Sequence, residues 1–473
     1  MTLARTPRAT TARTARRAPA DLPFVFADRG LVQALAAERD EPGWLRDERL
    51  AAFEAFDALA VETNQLYTPY IDLRAADLFN VEPFVRTADA GTTSSATNNA
   101  AIPAGTSGLI ELDEDGVTSI GLSEAARARG VIIETFGAAL ARDAAGFRAE
   151  LEGSALLPAT DKLAMLTRAF WSQGVRLFVP DGVSLDEPFI IRWAAGAPDR
   201  ALLTRTFLRL GKSAKVALVE DLGPSRRPAT TAASSAGGGQ SLYTGTLEID
   251  LAADAELRVA SIQDFGPSQV VLQHRQAAIG AGANLHWALA QLGGRLVRSR
   301  VDNRLEGDRS SVEQVEIVFG SDEQLFDLTS YTRHVGRDTT GNILSKGVLL
   351  DAARTYLKGM ITIDKSAIGT DSFLGEFGMN LSKKTRSVAI PSLEIDQPDC
   401  RRAAHSSSVG PIDETQLFYL ESRGIPPDEA RKFIVLGFLE PVVARMPLED
   451  ERERLRDLLE AKWNAGLESA AAA

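Results

Sequence analysis

A chain of 473 residues with 44% hydrophobic content is too long for one ordinary compact domain and carries enough apolar side chain for a sizeable core with satellites. The 64 acidic and 52 basic residues give a net charge of -12, and no basic stripe with interleaved aromatics appears, so nucleic acid is not an expected partner. No run approaches the roughly 18 apolar residues needed to span a bilayer, and a lone cysteine, which cannot close an internal disulfide, fits a reducing cytoplasm.

Residues 1–22 are expected to be a disordered basic tail. The first 20 hold Arg5, Arg8, Arg13, Arg16 and Arg17 without an acid, yet lack the apolar face of a transit helix. Residues 23–160 are predicted to form an N-terminal helical region, because Leu31, Leu35, Trp44, Leu45, Leu50, Phe53 and Phe56 recur at mostly helical intervals. Within it, residues 88–108 contain almost no bulky apolar residue and read as a flexible low-complexity loop. A β-core is expected over 161–410, with a similar insertion at 224–241. Between about 175 and 395 short alternating segments such as LRVASIQ, NLHWALAQL and SVEQVEIVF are punctuated by Gly282, Gly294, Gly307, Gly320, Gly336, Gly347, Gly359 and Gly369. That spacing suits an all-β sandwich, barrel or solenoid, and no strict repeat chooses among them.

The segment from Pro391 to Met446 changes character three times. PSLEI alternates as a strand, SSSVG after His405 reads as a turn, and DETQLFYLESRG shifts to helical spacing that Gly424 ends. A second helix starts at Pro427 and Asp428, with Ala430, Phe433, Ile434, Gly437, Phe438 and Val442 along one apolar face. Residues 411–473 therefore form a C-terminal helical domain. Its last helix, marked by Leu455, Leu458, Leu459, Trp463 and Leu467, is amphipathic and expected to pack on its own domain.

Two apparent nucleotide motifs fail. GKSAK at 211–215 has Thr206 where a phosphate-binding loop needs glycine, and its setting is strand–turn–strand; GAGANL at 280–285 lacks the third glycine of a dinucleotide fingerprint. Neither ATP nor NAD is expected to bind. His274, His286, His334, His405 and Cys400 are scattered, with no H-x-x-x-H or C-x-x-C pair. An iron–sulfur cluster normally takes four thiolates, with histidine an occasional substitute, so any cluster here would borrow ligands from another subunit.

The 391–446 segment resembles the C-terminal signature of the SufB/SufD family of iron–sulfur cluster assembly proteins, P-x-L-E-I, a C-S-H-G-A-T-V-G turn, then F-Y-L-x-S-R-G-I-x-x-x-E-A. The resemblance continues in KLAMLTRAFWSQGVRLFVPDGVSLDEPFII (162–191), in His334 followed by GNILSKGVLLDAARTYLKGMITI, and in EPGWLRDERLAAFEAF, covering most of residues 41–446. Here the turn reads AAHSSSVG, so the family cysteine position is Ala403 while His405 is retained.

The resemblance implies a mainly β protein: a right-handed parallel β-helix core flanked by N- and C-terminal helical regions. It further implies a SufD-like scaffold of the SUF system, not an enzyme, that pairs with a SufB-like chain through the β-core and docks a SufC-like ATPase on its C-terminal helices, in a SufBCD complex. Phe433, Ile434, Phe438 and Val442 are the expected docking anchors, in the helix-in-groove mode. His405 is expected at the interface, where a transient iron–sulfur cluster is shared with the partner and the imidazole can ligate iron or move a proton; the alternative is a surface histidine without a role. Cys400 lies three positions from the family cysteine's place, an odd offset that in an extended segment puts it on the opposite face, as a buried or incidental thiol. His334 also matches a family position and is expected to serve the β-core. A SufB-like, cluster-holding chain and a β-solenoid polysaccharide-active enzyme are the competing readings, and a homodimer remains open. Carboxylates such as Glu313 and Glu316 are read as a solvated strand face.

Overall fold

The computed structural model describes residues 24, 26–70, 73, 76, 81–83, 102–157, 160–224 and 239–472. The expected tail at 1–22, most of the expected loop at 88–108 and most of the expected insertion at 224–241 lie outside the described residues.

The N-terminal part runs α1 (Arg29–Glu38), α2 (Gly43–Ala58), the two-residue strand β1 (Glu82–Pro83), the hairpin β2 (Gly108–Asp113) and β3 (Gly116–Leu122), then α3 (Glu124–Ala128), β4 (Ile132–Thr135), α4 (Phe136–Glu152) and α5 (Lys162–Phe170). Strands then follow almost without interruption. They are β5 (Gln173–Val179), β6 (Phe189–Ala194), β7 (Arg200–Leu210), β8 (Lys215–Gly223), β9 (Ser241–Leu251), β10 (Glu256–Gln263), β11 (Gln269–Ile279) and β12 (Asn284–Gln291). After them come β13 (Leu296–Leu305), β14 (Ser311–Gly320), β15 (Leu325–His334), β16 (Thr340–Leu349), β17 (Arg354–Ile363), β18 (Asp371–Asn380), β19 (Arg386–Ile395) and β20 (Arg402–Gly410). The chain closes with α6 (Glu414–Ser422), α7 (Pro427–Val443) and α8 (Glu449–Ala472).

From β5 onward consecutive strands alternate between two sheets. One has the order β19-β17-β15-β13-β11-β9-β7-β5-β4 and the other β20-β18-β16-β14-β12-β10-β8-β6-β2-β3. All pairings among β5–β20 are parallel, and the register advances from Val270 to Leu296, Leu325, Arg354 and Arg386, so one circuit takes roughly 26 to 32 residues. This is a β-solenoid, the one architecture of the three that alternating parallel sheets permit.

Alternation along each strand sends one set of side chains into the lumen and the other outward. Val271, Val297, Phe326, Leu357, Leu285, Val312, Ile343 and Leu374 fill the lumen. The outward set on the odd-numbered sheet packs under α1, α2 and α5, and that on the even-numbered sheet under α7 and α8. Asp161 caps α5 by accepting from Leu163 and Ala164 backbone N–H, and its carboxylate is paired with Arg298 at 2.8 Å. Burial would raise this carboxyl, but Arg298 and Arg300 hold it far below the usual carboxylate range.

Three expectations change. The stretch expected to be helical over 23–160 also contains β2, β3 and β4, which extend both sheets through an antiparallel hairpin and an antiparallel pair with β5. Glu313 and Glu316 do not share a solvated face: their odd spacing puts Glu313 outside and Glu316 fully buried in the lumen. The third concerns the segment after His405, described below. The last helix does pack on its own domain, with Leu455, Leu459 and Trp463 buried against the even-numbered sheet's outer cluster; the Leu467 side chain lies outside the described residues. Among the described residues no helix is long and apolar enough to cross a membrane.

Candidate functional site at the open end of the solenoid

Among the described residues the solenoid stops at β19 and β20, each of which has a neighbour on one side only. Both strands are largely exposed or half-buried, because no further turn covers them. Here AAHSSSVG, expected to be a turn, is instead strand β20, paired in register with β18 from Asp371↔Arg402 to Met379↔Gly410. The serine run misleads because apolar alternation marks a strand only where a face is buried. A terminal strand gains its backbone pairing without that burial.

Register fixes where His405 faces. Its partner Leu374 belongs to the lumen core, and Ala403, two residues away on the same face, packs against that core. His405 therefore stands on the lumen side of the last strand, exposed at the mouth of the solenoid. It has no hydrogen-bond partner among the described residues, which leaves a ring nitrogen free to ligate or accept a proton.

Cys400 lies in the loop between β19 and β20, half-buried, and packs against the same lumen cluster as Ala403. The opposite-face expectation fails because the chain bends between them: Arg401 and Arg402 both donate their backbone N–H to the Thr370 carbonyl. Counting odd and even holds only where the backbone is continuously extended.

Beneath the mouth the lumen carries a file of polar residues at equivalent positions, Glu316, Ser345, Glu376 and Ser407. Glu376 accepts the Ile390 backbone N–H at 2.7 Å, and burial pushes its carboxyl up to about 8. Glu316 accepts from Gln291 Nε2 at 3.0 Å and Ser299 Oγ at 2.9 Å, and burial raises it as well. Deeper still, Arg275 Nη2 and Ser261 Oγ donate to Glu220 Oε2 at 2.6 and 2.8 Å. Burial of this kind favours the protonated form of a carboxyl group unless a cation pairs with it. Among the described residues no group of three or more His, Cys, Asp or Glu is arranged to hold a metal ion.

Only three residues separate Gly410, the end of β20, from Glu414, the start of α6. Asp413 caps α6 by accepting the Thr415 N–H at 2.8 Å. No residue of α6 is buried, and Phe418 (70%), Tyr419 (56%) and Phe433 of α7 (58%) are exposed to a degree unusual for aromatics. The four anchors expected on α7 do not share a face. Phe433 points to solvent, Ile434 and Phe438 are half-buried against the even-numbered sheet, and Val442 is fully buried in that packing with Ala430, Val435 and Leu439 nearby on the helix. Val442 thus belongs to the fold and offers no surface to a partner. Its apolar character fitted both roles, and the sequence could not tell the face turned to the sheet from the one turned away.

His334 is deep in the lumen, with Nδ1 2.8 Å from Thr339 Oγ1 and Nε2 3.0 Å from Ser372 Oγ. This matches its expected part in the β-core. His274 pairs with Asp302 at 2.7 Å beneath the N-terminal helices, and His286 lies on the outside near Glu313. GKSAK and GAGANL form the strand–turn–strand corners between β7 and β8 and between β11 and β12, as read from sequence.

Residues 192–438, from β6 to α7, match the family described as SUF system FeS cluster assembly, SufBD core domain. The chain belongs to that family. It is 28% identical to the iron-sulfur cluster assembly protein SufD of Bacillus subtilis over 302 residues, covering 64% of this chain and 67% of that protein. It is 25% identical to an iron-sulfur cluster assembly SufBD family protein of Staphylococcus epidermidis over 446 residues, 91% and 92% of the two chains. A Staphylococcus saprophyticus SufBD family protein is 27% identical over 297 residues, 63% and 62% of the two chains. Membership in the SufBD family gives a general scaffold role in iron–sulfur cluster assembly. The parts that sequence reasoning missed at this end are Glu376 and the α6 aromatics; the latter were legible as the FYL of DETQLFYLESRG, a pair of bulky aromatics in a helix with no apolar stripe to bury them.

Proposed function

We propose that this chain is a SufD-like, non-enzymatic scaffold of the cytoplasmic SUF machinery. It pairs through the open solenoid end with a SufB-like chain, and it docks a SufC-like ATPase on α6 and the exposed side of α7. The iron–sulfur cluster is cargo, assembled at the mated ends with His405 as one donor and the remaining ligands from the partner. The observation that carries this reading is the continuity of the two surfaces: the strand bearing His405 runs within three residues into a helix whose aromatics are uncovered. Force applied to α6 would reach β20 directly. A SufD-like rather than SufB-like role is favoured by Ala403, which leaves no thiol on the terminal strand to take up sulfur.

The test is anaerobic affinity purification of the tagged chain from its host, with identification of bound proteins and iron and sulfide analysis. A SufB-like chain and a SufC-like ATPase should be recovered together. His405→Ala should leave that complex assembled while cluster yield falls about tenfold or more. Recovery of neither partner refutes the pairing, and unchanged cluster yield in the variant removes His405 from the site.

A further inference from the structure

At the opposite part of the molecule, α2, the C-terminal end of α4 and α5 converge on the outer face of β7, β9 and β11 around a half-open pocket of about 810 Å³. Its walls are mostly apolar, formed by Trp44, Ala51, Ala55, Leu151, Met165 and Phe207, joined by the exposed side chains of Asp47, Arg148 and Glu152. Ala52 and Ala55 on the inner side of α2 make the space, since a helix packed on a sheet would ordinarily fill such positions with larger side chains.

The floor is built differently. Arg205 donates to both oxygens of Glu248 at 3.2 and 3.0 Å, and Glu48 Oε1 accepts from Arg205 and Arg168 at 2.9 Å each. Burial would raise the Glu48 carboxyl, but Arg205 and Arg168 bring it down to about 2, so this network is ionised throughout the physiological range. Two guanidiniums and two carboxylates cancel. Arg168, whose side chain is 18% exposed and lines the cavity, has no hydrogen-bond partner for Nη1 among the described residues. A neutral floor with a spare donor beneath mostly apolar walls defines its complement. An anion would sit against Glu48 and Glu248 and a cation against two guanidiniums, whereas a carbonyl oxygen takes the spare donor without adding a charge to the balanced floor.

We propose that this cavity binds an uncharged, largely apolar ligand whose carbonyl-type oxygen accepts a hydrogen bond from Arg168. The site is independent of the cluster-assembly surfaces and does not rest on the SufD-like reading.

The full-length protein is titrated with 6-propionyl-2-(dimethylamino)naphthalene, an uncharged naphthalene ketone whose emission reports its surroundings. Saturable binding with one site per chain is expected, with methyl decanoate displacing the probe at about 10-fold lower concentration than decanoate, a free-energy difference of about 1.4 kcal/mol. Ala51→Phe, at an exposed helix position on the rim, and Ala55→Phe, on the wall, should each abolish binding while urea unfolding midpoints stay near that of the parent chain. If Ala55→Phe lowers the midpoint, Ala51→Phe alone decides. Absence of saturable binding overturns the proposal, as does undiminished binding to a folded Ala51→Phe chain. Equal displacement by ester and carboxylate overturns the assignment of an uncharged head group.

Discussion

His334 illustrates how the lumen sets protonation. Ser372 Oγ donates to the Gly341 carbonyl at 2.8 Å and so accepts from His334 Nε2, which leaves Nδ1 to accept from Thr339. Burial lowers the imidazole to about 4, from an ordinary 6.5. The unfolded chain therefore binds a proton that the folded chain refuses between these pH values. The stability held by neutral His334 is complete above pH 6.5 and is lost as pH falls toward 4, about 3 kcal/mol in all. Glu376 tilts the other way, because its raised carboxyl makes the folded state the better proton binder from about pH 4.5 to 8. The two slopes oppose each other in the parent protein, so the test is a difference: urea unfolding of the parent and of His334→Gln at pH 7 and pH 5. The parent should lose about 2 kcal/mol more than the variant on acidification, and equal losses would show that His334 does not titrate as its burial requires. At this scale the motif singled out His405 but not the strand that carries it, and the sequence was illegible where a bend broke the odd–even count, as with Cys400.

At the scale of the element, the corner of the solenoid is the repeating unit. Ser213, Asp254, Gly282, Arg309, Asp338 and Gly369 occupy one equivalent position with φ between 54° and 77°. Each donates its N–H to a carbonyl of the next turn, as Asp254 does to Ala281 and Asp338 to Ile368, both at 2.8 Å. A small buried residue follows every time: Ala214, Ala255, Ala283, Ser310, Thr339 and Thr370. Sequence reading found the glycines but no repeat, because the left-handed position is filled by four residue types and the constant feature is the size of its successor. Gly280, just before one such corner, is needed for another reason: a Cβ there would lie 2.6 Å from the Leu251 carbonyl oxygen of the preceding turn. Gly280→Ala should destabilise by about 2 kcal/mol, read as a lowered urea midpoint, since only backbone is available to move. A midpoint unchanged from the parent would mean that neighbouring turns slide past each other more freely than their hydrogen bonds imply.

At the scale of the whole molecule, the two helical covers do different work. The N-terminal helices and α8 seal the outer faces of the two sheets, whereas α6 buries no residue fully and adds only the half-buried Leu417 to that packing. Replacing both Phe418 and Phe433 with Asp should leave folding intact, because both side chains already face solvent, and should remove the ATPase from the purified complex; loss of two aromatic anchors costs about 4 kcal/mol where both are central to an interface. Retention of the ATPase would exclude these helices as its seat. The C-terminal helices were plain from sequence spacing whereas α5 fell within the expected β-core, and the face left bare depends on which side meets the sheet, which only the assembled solenoid determines. The two ends of the stack also differ. One finishes in a four-residue antiparallel strand, β4, and in a hairpin whose register shifts at Glu111/Leu112, while the other finishes in full-length parallel edges. If the parallel edges mate with those of a partner, as proposed, association through that terminus closes at two subunits, because the antiparallel end presents no matching parallel edge.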